Sequence, residues 1–213
     1  MADYPTEVGN LSPFLYWKID EASGALADSS GNSNASVAQS ITTYQDTDII
    51  SEAGAAEFNG SSDYAKDTAA SAYVVDGVMS AVFAFRYNDT LPASGTLFHI
   101  GDFGNGSNRG FRFYFAAGVT TLQGWASSNF RTVNIAWQPT IGVDSLVAIV
   151  LTTTNVKIYV DGTEVASTNH SWTFNNNTTT PPVTLGSAQS SGESDFMQAD
   201  YGHFALFNQA LTP

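Results

Sequence analysis

The run VKIYVDGTEVAS, Val156 to Ser167, reads as two short strands folded back on each other around Asp161-Gly162. Asp-Gly supplies the positive φ angles that a two-residue hairpin turn needs. Before the turn Val156, Ile158 and Val160 alternate with Lys157 and Tyr159, and after it Thr163 and Val165 alternate with Glu164 and Ala166. That is the period of a strand with one face in and one out. Immediately upstream, Ser145 to Thr154 (SLVAIVLTTT) is apolar at every position from Leu146 to Leu151, the pattern of a strand covered on both faces. An exposed hairpin joined to a buried central strand implies a β-sandwich.

Size and composition fit one such domain. A chain of 213 residues can bury roughly 70% of its unfolded surface, so it needs no covalent staples. It has no cysteine, which removes disulfide frameworks, cysteine metal sites and thiol nucleophiles together. Seven basic against twenty acidic residues give a net charge of −13, which repels phosphate backbones, so nucleic acid is not an expected partner. Met1 to Phe14 shows neither a basic n-region nor an apolar h-region, and no apolar run approaches ~20 residues. Neither a signal peptide nor membrane insertion is expected. Charged residues are only 13% of the chain, so its surface must be built from Ser, Thr, Asn, Gln and Gly.

Other strands follow in order. Phe14 to Ile19, Ala55 to Asn59, Val78 to Tyr87, Thr96 to Gly101, Gly110 to Ala117, Thr120 to Ala126, Arg131 to Trp137, Pro182 to Gly186 and Asp200 to Asn208 carry strand patterns between Gly- and Asn-rich turns. Val78 to Tyr87 should cross the centre of the sandwich. Phe111, Phe113 and Phe115 share one face and are core candidates. Asn175 to Pro182 (NNNTTTPP) reads as a surface loop. No heptad, long helical stripe or fixed repeat is present. The fold class is all-β, with residues 14–213 as a single antiparallel two-sheet domain and residues 1–13 as an N-terminal arm.

Several pieces, in sequence order, carry a family resemblance: Tyr16-Trp17-Lys18-Ile19-Asp20-Glu21 with Gly24, Asp28-Ser29-Ser30-Gly31-Asn32, Phe58-Asn59-Gly60-Ser61-Ser62-Asp63-Tyr64, Ile158-Tyr159-Val160-Asp161-Gly162, Leu185-Gly186 and Ala205-Leu206-Phe207-Asn208-Gln209-Ala210-Leu211-Thr212. Together they resemble a laminin-G-like, concanavalin-A-like jelly roll over nearly the whole chain. The resemblance implies two curved antiparallel sheets packed face to face. It implies little about ligand, because this fold hosts lectins, adhesion modules, glycanases and virion proteins.

Glycan hydrolysis would need two carboxyl groups flanking the scissile bond. Only Glu193 with Asp195 and Asp46 with Asp48 stand two apart, both in turn-like contexts, and solvated loop acids are the simpler reading. His99, His170 and His203 are far apart in sequence and form no recognisable catalytic order. No enzymatic activity is expected.

A structural calcium is the better chemical candidate, since it takes six to eight oxygens from carboxylates, amides and carbonyls. Asp20, Asp28, Asn32 and Asp200 lie at loop or strand edges, and the resemblance implies an ion tying the N-terminal segment to the last strand through Asp28 and Asp200. The alternative is that Asx residues in Gly-rich turns cap their own backbone. A second calcium candidate is Asp102, Asn105 and Asn108, in the glycine-rich loop GDFGNGSNRG, which resemble the calcium rim used for ligands by some laminin-G-like domains.

Sugars stack on Trp and Tyr rings while amides and carboxylates bond their hydroxyls. Most aromatics fall on core strand faces, but Tyr44, Tyr64, Trp125, Phe130 and Trp172 lie near loops or strand ends. The candidate ligand residues are therefore Tyr64, Asp102, Asn105, Asn108, Trp125 and Trp172, and the expected partners are glycans or a cell-surface polysaccharide. The leading expectation is a non-catalytic module displayed on a virion surface or otherwise extracellularly, such as a bacteriophage capsid decoration or fibre subunit with adhesive capacity. A free-standing carbohydrate-binding lectin domain is the alternative, and a glycoside hydrolase the third. On the assembly reading, Tyr4, Val8 and Leu11 anchor the arm along a protein partner in a capsid or tail, and deleting Met1 to Ser12 would abolish incorporation.

Overall fold

The structure, a computed structural model, describes residues 4–34, 36–39, 41, 43–44, 49, 55–67, 77–88, 94–102, 109–116, 118–126, 129–172, 182–189 and 193–212. Two antiparallel sheets form a sandwich. Edge to edge, the first runs through β13 (Thr163–Asn169), β12 (Asn155–Val160), β11 (Asp144–Leu151), β6 (Met79–Tyr87), β17 (Gln198–Phe207), β4 (Ala56–Asn59) and β3 (Thr43–Tyr44). The short β1 (Leu15–Trp17) shares an edge of β17 with β4, pairing at Leu206 to Phe204 while β4 pairs at Gln198 to Tyr201. The second sheet runs through β10 (Asn129–Ile135), β9 (Val119–Ala126), β8 (Arg109–Ala116), β7 (Ser94–Asp102), β14 (Val183–Leu185), β5 (Tyr64–Asp67) and β2 (Ser36–Gln39). β15 (Ala188–Gln189) and β16 (Glu193–Ser194) make a small separate ladder.

The hairpin forms as its turn chemistry dictates: Asp161 and Gly162 have φ of 49° and 78°, the two left-handed positions of a primed turn. β6 does cross the centre, between β11 and β17. Its inward residues Phe83, Phe85 and Tyr87 meet the other sheet through Phe83 on Phe98, at 6.3 Å between ring centroids, and Tyr87 on Phe115, at 6.2 Å. Phe111, Phe113 and Phe115 are all buried in this core. β11 differs from its expected double coverage. Val147, Ile149 and Leu151 face the core, but Leu146 and Ala148 are half-buried on the outer face, beside a shallow apolar dent also lined by Val82, Val150, Tyr159 and Leu211. The C-terminal segment partly covers that face where a further layer was expected.

The N-terminal segment is a helix, α1 (Tyr4–Asn10), with Pro5 in its first turn where a missing N–H costs nothing. It docks on its own chain: Val8 is buried with Tyr16, Ala205 and Phe207, and the Tyr4 ring stands edge-on to His203 at 5.0 Å. Leu11 stays exposed, while its carbonyl accepts from Gln209 Nε2 at 3.4 Å. The order of this segment is thus accounted for without a neighbouring subunit. No helix among the described residues is long and apolar enough to cross a membrane.

Candidate functional site

Alternation along β8 sends Phe111, Phe113 and Phe115 into the core and leaves Arg112 and Tyr114 on the outer face of the second sheet. Strand register extends this outer face into a row. Lys66 pairs with Thr184, Thr184 with His99, His99 with Arg112, Arg112 with Gln123 and Gln123 with Thr132. A second row alongside joins Thr96, Tyr114, Thr121 and Asn134. All ten are polar or amphipathic, and both rows cross the sheet.

Half of this face is roofed. The segment at 193–197 packs over β7, where Asp195 O accepts from Thr96 N at 2.8 Å, Asp195 Oδ1 accepts from Ser94 Oγ at 3.1 Å, and Gly186 O accepts from Met197 N at 2.8 Å. Thr96, His99, Thr184 and Ser187 are fully buried beneath it. Burial, reinforced by the Arg112 and Lys66 cations beside it, pushes the His99 imidazole down to about 3, so it is neutral at physiological pH. The other half, over β8, β9 and β10, is partly open, with Thr121 of the second row buried. There Arg112, Tyr114 and Gln123 are half-buried and Thr132 and Asn134 exposed.

Arg112 marks the boundary between the halves. Its Nη1 pairs with Asp195, its Nε donates to Gln123 Oε1 at 3.0 Å, and its guanidinium lies 4.2 Å from the Tyr114 ring centroid. This fixes the orientation of both the amide and the ring. The result is a shelf with an aromatic ring, an amide pair and hydroxyls, bounded by Asp195 through its pair with Arg112.

The sequence-derived ligand residues are scattered around this shelf. Tyr64 is half-buried at its roofed end, its ring 6.3 Å from that of Phe196. Trp125 lies on β9 two positions beyond Gln123 and pairs with Phe130. Trp172 packs against the core with the Arg131 guanidinium 5.3 Å from its ring, away from both rows. Asp102 pairs with Arg109 at the far end of β7 and β8, while Asn105 and Asn108 lie outside the described residues. Sequence reasoning missed Arg112, Tyr114 and Gln123, although the phenylalanine alternation already assigned the first two to the opposite face.

The proposed calcium ligands do not converge. Asp28 caps the DSSGN turn: its Oδ1 accepts from the Tyr16 and Ser30 amides at 3.0 and 2.9 Å, and its Oδ2 from Ser30 Oγ and the Asn34 amide, each at 2.8 Å. Asn32 donates its side-chain amide to Phe14 O at 2.9 Å. Asp200 lies four residues from the Phe204 register level at which Asp28 bridges Trp17, and its carboxylate is 3.8 Å from Arg86 Nη1. Asp20 is exposed. Among the described residues no group of three or more acidic or histidine side chains could hold a metal. A calcium ion needs free oxygen lone pairs, whereas Asp28 spends its own on N–H and O–H donors, so Asp20, Asp28, Asn32 and Asp200 do not fit one ion. Any calcium dependence of the melting temperature is accordingly expected to be the same in Asp28→Ala as in wild type. A shift of several degrees, lost in Asp28→Ala, would restore the shared ion.

Two antiparallel sheets, with a β17 strand flanked by β6 on one side and β1 and β4 on the other, define a two-sheet jelly-roll sandwich. The chain belongs to the concanavalin A-like lectin/glucanases superfamily, whose sequence profile matches residues 59–213. No curated protein sequence matches it. Among solved structures it is similar to domain 4 of AbnA, an extracellular arabinanase of Geobacillus stearothermophilus in complex with arabinotriose, at 20% identity, with 94% of each chain covered and a TM-score of 0.65. It is similar to the CBM40 of the Ruminococcus gnavus IT-sialidase bound to α2,3-sialyllactose, at 16% identity, with 65% of this chain and 79% of that one covered and a TM-score of 0.54. The receptor binding domain of botulinum neurotoxin D is a third, at 12% identity, with 95% of this chain and 50% of that one covered and a TM-score of 0.63. The chain spans about half the length of such toxin binding domains.

Proposed function

We propose that the protein is a non-catalytic glycan-binding module that holds an oligosaccharide on the open shelf of the second sheet. The observation that carries this is the register-aligned pair of polar rows, with Arg112 locking Tyr114 and Gln123 in place. Such a shelf offers a sugar a fixed aromatic surface and oriented hydrogen-bonding groups, so little conformational freedom is lost on binding. The similar structures that carry arabinotriose and sialyllactose support the reading by analogy of fold. The non-catalytic part rests on Asp195, one acid of the Glu193–Asp195 pair, being spent on Arg112 and Ser94. Asp46 and Asp48 lie outside the described residues. A module of this kind meets polysaccharide outside the cell. Membership of a virion draws no support from the N-terminal segment, because α1 is seated on its own sheet.

Titration against an array of neutral and acidic oligosaccharides tests the proposal. Gln123→Ala and Tyr114→Ala are each expected to weaken the best ligand at least tenfold without changing the far-ultraviolet spectrum, since each removes a group that faces the sugar while leaving the core intact. Unchanged affinity in both variants, or silence across the array at millimolar concentrations, would reject the shelf as the site.

A further inference from the structure

The charges on the shelf bear on which glycans it takes. Three observations bear on an incoming carboxylate, as in a sialic or uronic acid. The Arg112 guanidinium is engaged on three sides: by Asp195 through Nη1, by Gln123 through Nε, and by the Tyr114 ring across its plane. The Asp195 carboxylate forms the wall of the open half, so an anionic sugar lying against Arg112 would also lie against a fixed negative charge. Beyond Arg112 along the row stands His99, fully buried and neutral, and the next cation, Lys66, lies past it at the roofed end. Around all of this the chain carries a net charge of −13, which lowers the local concentration of any polyanion.

Resting on the glycan reading above, we infer that the shelf selects neutral glycans and that the Arg112–Asp195 pair is the element that excludes acidic ones. A ligand carboxylate that reaches the guanidinium must either displace Asp195, which strands one carboxylate without its partner, or lie beside it as a second negative charge. A neutral pyranose or furanose needs no such exchange. It can bond the Gln123 and Asn134 amides and the Thr132 hydroxyl and lie against Tyr114 with the ion pair intact. Asp195 therefore acts as a built-in competitor for the position an acidic sugar would take.

The inference predicts a gain of binding. Asp195→Asn removes the competing charge and suits the left-handed backbone at this position, where φ is 50°. Asp195→Gly does the same with no steric strain at positive φ and guards against a misplaced amide. The probes are arabinotriose and other neutral trisaccharides, with α2,3-sialyllactose and a galacturonic acid trimer as the acidic set. Wild-type protein is expected to bind from the neutral set only. Either variant should bind an acidic probe at least tenfold more tightly than wild type, and that new binding should fall as salt rises from 50 to 500 mM while neutral binding does not. Wild-type binding of acidic probes at affinities comparable with neutral ones would overturn the inference and leave the glycan reading standing. So would variants that keep neutral binding and gain nothing acidic. Silence on both sets, for wild type and variants alike, would overturn the glycan reading and the inference with it.

Discussion

Phe83→Ala is expected to cost about 3–5 kcal/mol and to lower the melting temperature by on the order of 10 °C. Phe83 sits on the central strand of the first sheet, fully buried, and its ring meets Phe85, Phe98, Tyr201 and Phe204 at centroid distances of 6.0 to 6.3 Å. Those partners come from β6, from β7 in the opposite sheet and from β17, so a cavity there opens where the two layers are joined. Neighbouring rings in a close-packed interior collapse only partly into such a space, which is why the loss exceeds the transfer free energy of the ring. The effect reaches the shelf, because Phe98 directly precedes His99 on β7 and β7 supports β8. Phe83→Leu, which keeps most of the volume, should cost roughly 1 kcal/mol. Equilibrium denaturation of the pair separates the terms: equal losses would mean that the site relaxes fully and that Phe83 does not tie the layers together.

How much of this was open to sequence reasoning depends on the range over which each feature is specified. The Asp161-Gly162 hairpin was readable because its information is local: two residues that tolerate positive φ between two alternating runs. β6 and β11 were readable from unbroken apolar runs. α1 was not, since its seven residues include Pro5 and Gly9 and no continuous stripe. It is helical because Tyr4 and Val8 find His203, Ala205 and Phe207 at the other end of the chain. The shelf divides in the same way. Phe111, Phe113 and Phe115 put Arg112 and Tyr114 on the outer face, but nothing near them in sequence announces that Asp195, 83 residues on, will close over Arg112. For Asp28 and Asp200 the same division holds. Composition shows that oxygens are present, while only the fold shows that the Asp28 carboxylate is spent on the Tyr16, Ser30 and Asn34 amides and the Ser30 hydroxyl.

Acidification from pH 6.5 towards 4 is expected to remove several kcal/mol of stability, with His99 and His203 as the main cause. His203 sits in the β17 bulge at a φ of 51°, nearly fully buried under α1, with Tyr16 Oη 2.9 Å from its Nδ1 and no partner for Nε2 among the described residues. Burial is the largest influence and lowers its imidazole to about 4; Asp20 pulls the other way and Lys18 the same way. His99 is lowered further, to about 3, by burial and by its cationic neighbours in the row. In the unfolded chain both titrate near 6.5, so as pH falls the unfolded state takes up protons first and the native state resists. The stability is therefore complete above pH 6.5, declines between 6.5 and the folded values, and levels off below about pH 3. Each unit of separation is worth about 1.4 kcal/mol, which makes the combined loss at pH 4 roughly 7 kcal/mol as an upper bound. Asp63, raised by burial, opposes this in the carboxylate range. Denaturant titrations at fixed ionic strength from pH 7 to 4 should show the decline in wild type and a shallower slope in both His203→Gln and His99→Gln, whatever their stability at pH 7. Slopes identical to wild type in both variants would assign acid sensitivity to the carboxylates instead.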